Sequence, residues 1–217
     1  MAKAERSAHR AAARAAASGS GPTRDEPARN PGAVGAFGLF GEVLLTGVLV
    51  VAGGLLVLTL PAALAAGSRH LRRYVRAERS TLKQFWADYL RALPAGAVVG
   101  LASTLIAGVL ALDIVLAGSG DLPGGAAIGA FGWVLAALLA GALLHVCGTW
   151  TPETGWATAI RSLPGAVARD VPGALYLVAA ACFVGIATWM FPPLLLPALG
   201  CAALAAVAVP VRPRRRR

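Results

Sequence analysis

Four side chains able to titrate or to ligate a metal fall inside stretches that are otherwise almost free of charge: Glu42, Asp113, His145 and Cys147. Ionisable groups are costly in a bilayer, so these are the first places to look for ion or proton transfer. Their positions limit that chemistry. Glu42 lies about one turn into the first apolar stretch and Asp113 about one turn from the end of the second, so both can reach a polar interface. His145-x-Cys147 supplies half of a tetrahedral metal site, but the sequence offers no two further ligands to complete it. A histidine hydrogen-bonded at an interface is the favoured reading. The cysteines Cys147, Cys182 and Cys201 show no pairing pattern and read as small packing residues.

The second chemical feature is the segment RHLRRYVRAERSTLKQFWADYLRALP, residues 69–94. Arg69, Arg72, Arg73, Arg76 and Arg79 can bind anionic lipid head groups, each worth on the order of 1 kcal/mol near a charged surface. They can equally present a docking face to a soluble partner, such as a transporter ATPase. The lipid reading is the simpler one. Glu78 and Asp88 sit among these arginines as ion-pair partners. Further on, Leu82, Phe85, Trp86, Tyr89, Leu90 and Leu93 recur at helical spacing opposite Lys83, Gln84, Ala87, Asp88 and Arg91, which predicts an amphipathic interfacial helix over about 80–93.

Residues 86–94 align without gaps on 156–164. Trp86, Ala87, Arg91, Leu93 and Pro94 face Trp156, Ala157, Arg161, Leu163 and Pro164. A second interfacial helix is therefore expected over about 152–163, with Thr151 as its N-cap and Pro152 at its first position. Each copy precedes two apolar stretches, which suggests an internal repeat of one interfacial helix and a two-span hairpin. Trp86, Arg91, Trp156 and Arg161 join the arginines as candidate lipid or partner contacts.

The elements that must position these residues follow from hydropathy. The chain is 57% hydrophobic with a mean hydropathy of +0.68, well above the roughly 45–50% apolar share of globular domains. The expected fold is all-α: a polytopic transmembrane bundle of five spans, about 37–66, 95–117, 125–148, 173–191 and 194–210, plus the two interfacial helices. Residues 31–210 form the membrane domain. The first span exceeds the roughly twenty residues a crossing needs and is expected to be one long helix kinked at Pro61. Ala63-Leu64-Ala65 imitates a signal-peptidase site, but the long apolar run and the arginines after it oppose cleavage. Residues 1–30, rich in Ala, Arg, Gly, Ser and Pro, are expected to be a disordered basic tail, and 211–217 a basic cytoplasmic tail.

The net charge of +10 is concentrated at 1–30, 67–94 and 211–217, which carry +3, +5 and +5. Basic clusters flanking apolar spans mark cytoplasmic faces rather than a nucleic-acid footprint. With 67–94 inside, five spans place the C-terminus inside and the N-terminus outside. A first span that re-enters instead of crossing places the N-terminus inside as well. No Gly-x-Ser-x-Gly, His-Glu-x-x-His or phosphate-cradling Gly-x-x-x-x-Gly-Lys pattern occurs, so no enzyme activity, metal or other cofactor is expected.

Thr59-Leu60-Pro61-Ala62-Ala63-Leu64-Ala65-Ala66, Leu71-Arg72-Arg73-Tyr74 and Phe85-Trp86-Ala87-Asp88-Tyr89 together resemble the YesL-like family of bacterial integral membrane proteins. The resemblance covers about residues 37–148 by motif and the rest by hydropathy pattern. It departs from the family in its Gly/Val/Leu-rich first span and its long N-terminal tail. The molecular function of that family is unknown. The resemblance implies a bacterial cell-membrane protein associated with carbohydrate transport or utilisation, as an accessory or regulatory component beside sugar-transporter components. The alternative is a permease-like transport subunit, although Leu93-Pro94 and Leu163-Pro164 echo only the end of a permease coupling loop.

Overall fold

The computed structural model of the protein describes residues 31–33, 35–119 and 123–212. The expected basic tails fall mostly outside that range, at 1–30 and 213–217. Among the described residues there are seven α-helices and no strand: α1 Ala36–Gly53, α2 Leu60–Val75, α3 Leu82–Gly118, α4 Gly125–Thr149, α5 Gly155–Arg169, α6 Val171–Met190 and α7 Leu195–Val211. Five of these elements are long and apolar enough to cross a membrane: α1, α3, α4, α6 and α7 with the 3-10 turn that leads into it. The all-α, multi-pass architecture expected from hydropathy is the one observed.

The first span differs from expectation. Residues 37–66 do not form one kinked helix. Helix α1 stops at Gly53-Gly54, a 3-10 turn at Val57–Thr59 follows, and α2 runs back with Pro61 in its first turn. Proline suits that position because its missing N–H is one of those a helix start leaves unpaired anyway. Val50 and Thr46 lie against Gly67, and Ala63 lies against Gly53, so α1 and α2 form an antiparallel hairpin. Leu55, Leu56 and Val57 stay exposed at its tip. Non-helical backbone among lipid needs internal donors, and here hydroxyls supply them. The Gly53 carbonyl accepts from Thr59 Oγ1 at 2.7 Å and from Tyr89 Oη at 2.9 Å, and Thr59 Oγ1 also reaches the Leu56 carbonyl at 2.7 Å.

The second difference is that the interfacial helix expected over 80–93 is continuous with the span that follows it. Helix α3 has 37 residues, about 55 Å, and passes through Pro94, which costs it one hydrogen bond without ending it. Its start is fixed by a capping box: the Gln84 N–H donates to Thr81 Oγ1 at 3.3 Å, and the Thr81 N–H donates to Gln84 Oε1 at 3.1 Å. The second interfacial helix begins at Gly155, not at 152. Thr151 and Thr154 instead bond each other's backbone N–H in the turn before it.

Small residues bring the helices together, as expected where lipid removes the hydrophobic drive between spans. Side chains of Ala62, Ala63, Ala65 and Ala66 on α2 are fully buried. Methyl groups at Gly47, Gly100 or Gly200 would overlap the backbone carbonyls of Leu196, Leu58 and Val43 respectively. Helix α7 runs antiparallel to α1, with Leu39 and Val43 packed among Ala203, Leu204 and Val207. The start of α1, the end of α2, the start of α3 and the end of α7 therefore share one end of the bundle.

These contacts predict that Gly47→Ala and Gly200→Ala each destabilise the detergent-solubilised protein by about 1–3 kcal/mol through overpacking. Gly41→Ala and Gly108→Ala, where a methyl meets open space, should be neutral or slightly stabilising. Chemical or thermal unfolding followed by circular dichroism distinguishes the two sets.

Candidate functional site

The charged residues converge at the end of the bundle just described. Helical spacing on α2 places Arg69 and Arg73 one turn apart toward α3, with His70 toward α1 and Arg72 toward α4. On α3, Phe85 and Asp88 are three residues apart on the face turned to α2, and both are buried. Ala77, at φ 56°, supports the tight reversal between α2 and α3.

Asp88 is the centre of this region. Its carboxylate is 3% exposed, and Oδ2 lies 2.6 Å from Arg73 Nη2 and 3.3 Å from Arg69 Nε. Arg69 Nη1 lies 3.7 Å from Glu153 Oε2 in the turn before α5. Glu153 is held below the usual glutamate pKa, chiefly by a hydrogen bond from the Thr151 hydroxyl and to a smaller extent by Arg69. Arg72 donates to the Gly148 carbonyl at the end of α4. Three arginines of one helix thus tie α2 to α3, to α4 and to the approach to α5.

On the other side of α2, His70 Nε2 lies 2.6 Å from Glu42 Oε1 on α1, and Nδ1 lies 2.9 Å from Ser80 Oγ. Glu42 and Ser80 thus engage the two ring nitrogens of His70 from opposite sides. Glu42 is therefore the α1 end of a buried polar link. Neither His70 nor Ser80 stands out in the sequence. Only the hairpin, which folds residue 70 back onto residue 42, brings them together.

The other candidates divide by exposure. Arg76, Arg79, Arg91 and Arg161 are exposed, as is Trp86, whose ring packs edge-on against Phe85 and Tyr89. Arg69, Arg72 and Arg73, also candidate lipid or partner contacts, are partly buried and reach toward neighbouring helices. Trp156 is buried, and its Nε1 donates to the Ala92 carbonyl at 3.0 Å while its ring covers Gly96. The matched tryptophans of the two repeat copies therefore have different surroundings, although each copy does precede two apolar helices. Asp113 is exposed on α3. His145 is half-buried, its Nε2 has no hydrogen-bond partner among the described residues, and it lines a cavity between α4, α5, α6 and the end of α7. Cys147 is buried against the Pro61 carbonyl, 3.4 Å away. No three His, Cys, Asp or Glu side chains gather as metal ligands among the described residues.

No protein-family model, curated protein or solved structure matches the chain.

The inward and outward arginines should differ in what they affect. Arg73→Gln, which loses the hydrogen bond to Asp88, is expected to lower stability in detergent by at least about 1.5 kcal/mol, the low end for a charge-assisted hydrogen bond, and Arg69→Gln, which removes a nearby charge but no hydrogen bond to Asp88, by less. Arg76→Gln and Arg79→Gln should leave it within about 0.5 kcal/mol of the parent. Trp156→Phe, which loses the bond to the Ala92 carbonyl and part of the ring packed on Gly96 and Trp150, should cost about 1–3 kcal/mol.

Proposed function

We propose that this chain is a multi-pass bacterial membrane protein of the YesL-like kind, acting as an accessory or regulatory component of carbohydrate transport. It works by binding and not by catalysis, and its basic end faces the cytoplasm. The observation that carries this reading is where the resembling residues lie. The 61–66 segment, Leu71, Arg72, Arg73, Phe85, Asp88 and Tyr89 occupy one contiguous region, in which α2 is clamped between α1 and α3. A motif that builds a rigid, charged end on a membrane bundle suits a docking or regulatory element.

The alternative, a permease-like subunit, requires a path through the bundle. Backbone-to-backbone approach at Gly47, Gly100 and Gly200 closes the space between α1, α3, α7 and the hairpin turn, which favours the accessory role. The exposed Arg76, Arg79 and Arg91, with Trp86 and Leu90 beside them, are the surface offered to anionic head groups or to a soluble transporter component.

The hairpin brings the start of α1 to the same end as residues 69–94. In place of the outside N-terminus expected from five crossings, we propose that the N-terminal end of the membrane domain, the 67–94 segment and the C-terminus lie together in the cytoplasm, following the positive-inside rule. Single cysteines in a variant lacking the native three provide the test. In intact cells Ser119→Cys should react with an impermeant thiol reagent, and Gly35→Cys and Ser80→Cys should be shielded until the membrane is opened. Labelling of Gly35→Cys in intact cells would contradict this topology. For function, a deletion strain with intact permease genes should lose sugar uptake. Stoichiometric co-purification with an ATPase and a sugar-binding protein would instead favour the permease reading.

A further inference from the structure

The cavity beside His145 belongs to none of the features above. It encloses about 550 Å³, within the ~300–1,000 Å³ usual for small-ligand sites. Its walls are apolar along most of their length: Leu138 and Ala142 from α4, and Leu177 and Val178 from α6. Both helices are membrane spans by length and composition, so the cavity is placed to take hydrocarbon from between them. Arg169 and Asp170 lie where α5 ends and α6 begins, and Thr149 and Ser162, whose hydroxyls donate to backbone carbonyls of their own helices, line the same cavity. An apolar slot with a polar end matches an amphiphile.

Charge selects which amphiphile. Asp170 is committed, with Oδ1 2.6 Å from Arg212 Nη2 and 3.0 Å from the Gly173 N–H that it caps. Arg169 spends Nε on the Gly165 carbonyl at 2.8 Å, and its guanidinium forms no ion pair with a carboxylate among the described residues. The polar end therefore carries a surplus positive charge.

We propose that this cavity binds an acyl chain of an anionic phospholipid, with the phosphate held at Arg169 and the chain running between α4 and α6. A guanidinium suits a phosphate because it offers several donors in one plane.

The test uses full-length protein purified in mild detergent and titrated with dioleoylphosphatidylglycerol, dioleoylphosphatidylcholine or glycerol 1-phosphate, with binding read by native mass spectrometry. Phosphatidylglycerol should saturate one site more tightly than phosphatidylcholine. Arg169→Gln should weaken that binding about tenfold, the loss expected for one charge-assisted hydrogen bond. Ala142→Trp, which fills the slot, should abolish it, and Arg161→Gln, on the same helix but away from the cavity, should leave it unchanged. Equal losses in Arg169→Gln and Arg161→Gln, or full binding by Ala142→Trp, would show lipid bound on the outer surface and overturn the proposal. Saturable glycerol 1-phosphate binding that survives Ala142→Trp would overturn it in favour of a soluble phosphoester. Should Ala142→Trp fail to fold, Ser162→Cys in a cysteine-free variant decides. Phosphatidylglycerol must slow its modification by maleimide more than phosphatidylcholine does, and equal rates would refute the proposal.

Discussion

A carboxylate removed from solvent must be paid in hydrogen bonds and opposite charge, and Asp88 receives both from a single neighbouring helix. Arg69 and Arg73 converge on one of its oxygens. An isolated buried charge costs several kcal/mol even after relaxation, so the pair of arginines and the carboxylate are stable only together. This requirement fixes the rotation of α2 against α3. With that rotation set, His70 faces Glu42, Arg72 faces the end of α4, and the alanine face of α2 meets α1 and α4. The base of the bundle is thus specified by polar groups, whereas the rest is specified by shape.

Shape does its part through residues without bulk. Lipid solvates leucine as well as another helix does, so spans associate through close contact and interhelical hydrogen bonds. Helix α2 is the clearest case, an almost continuous run of buried Pro, Ala, Gly and Ser ending in arginines. It is the second arm of a hairpin whose apolar tip carries its own hydroxyl donors. The two arms return the chain to its starting end, and α7 closes against the first arm with its C-terminus at that same end.

Hydropathy made α4, α6 and α7 legible to within two residues, since each is a single apolar run bounded by Gly, Pro or a charge. It could not reveal the break after Gly53, because the turn itself reads Leu-Leu-Val-Leu and no polar residue interrupts the pattern. Gly53-Gly54 and a proline eight residues later were the available signals, and Pro61 marks a helix start as readily as a kink. The amphipathic pattern over 82–93 was real, but helix α3 has no end at Pro94, since lipid-facing proline is tolerated where neighbouring groups compensate. The identities of the charged residues were visible, and the pairing of Asp88 with arginines followed from proximity in sequence. Which arginines turn inward was not, because that depends on the crossing of α2 and α3. The Glu42–His70–Ser80 link needs a fold-back of 28 residues, for which local pattern carries no signal.

The segment 69–94 is accordingly two things at once: an inner face that locks three helices and an outer face, Arg76, Arg79, Trp86 and Arg91, free to meet head groups or a partner. The central claim is that the inner face is a coupled charge pair and not a set of independent surface arginines. A double-mutant cycle on Arg73 and Asp88 measures this directly, with Arg73→Gln, Asp88→Asn and the double variant unfolded in the same detergent. The expected coupling energy is about 2 kcal/mol or more, near the upper part of the range for contacting residues. Additivity within about 0.5 kcal/mol would contradict it.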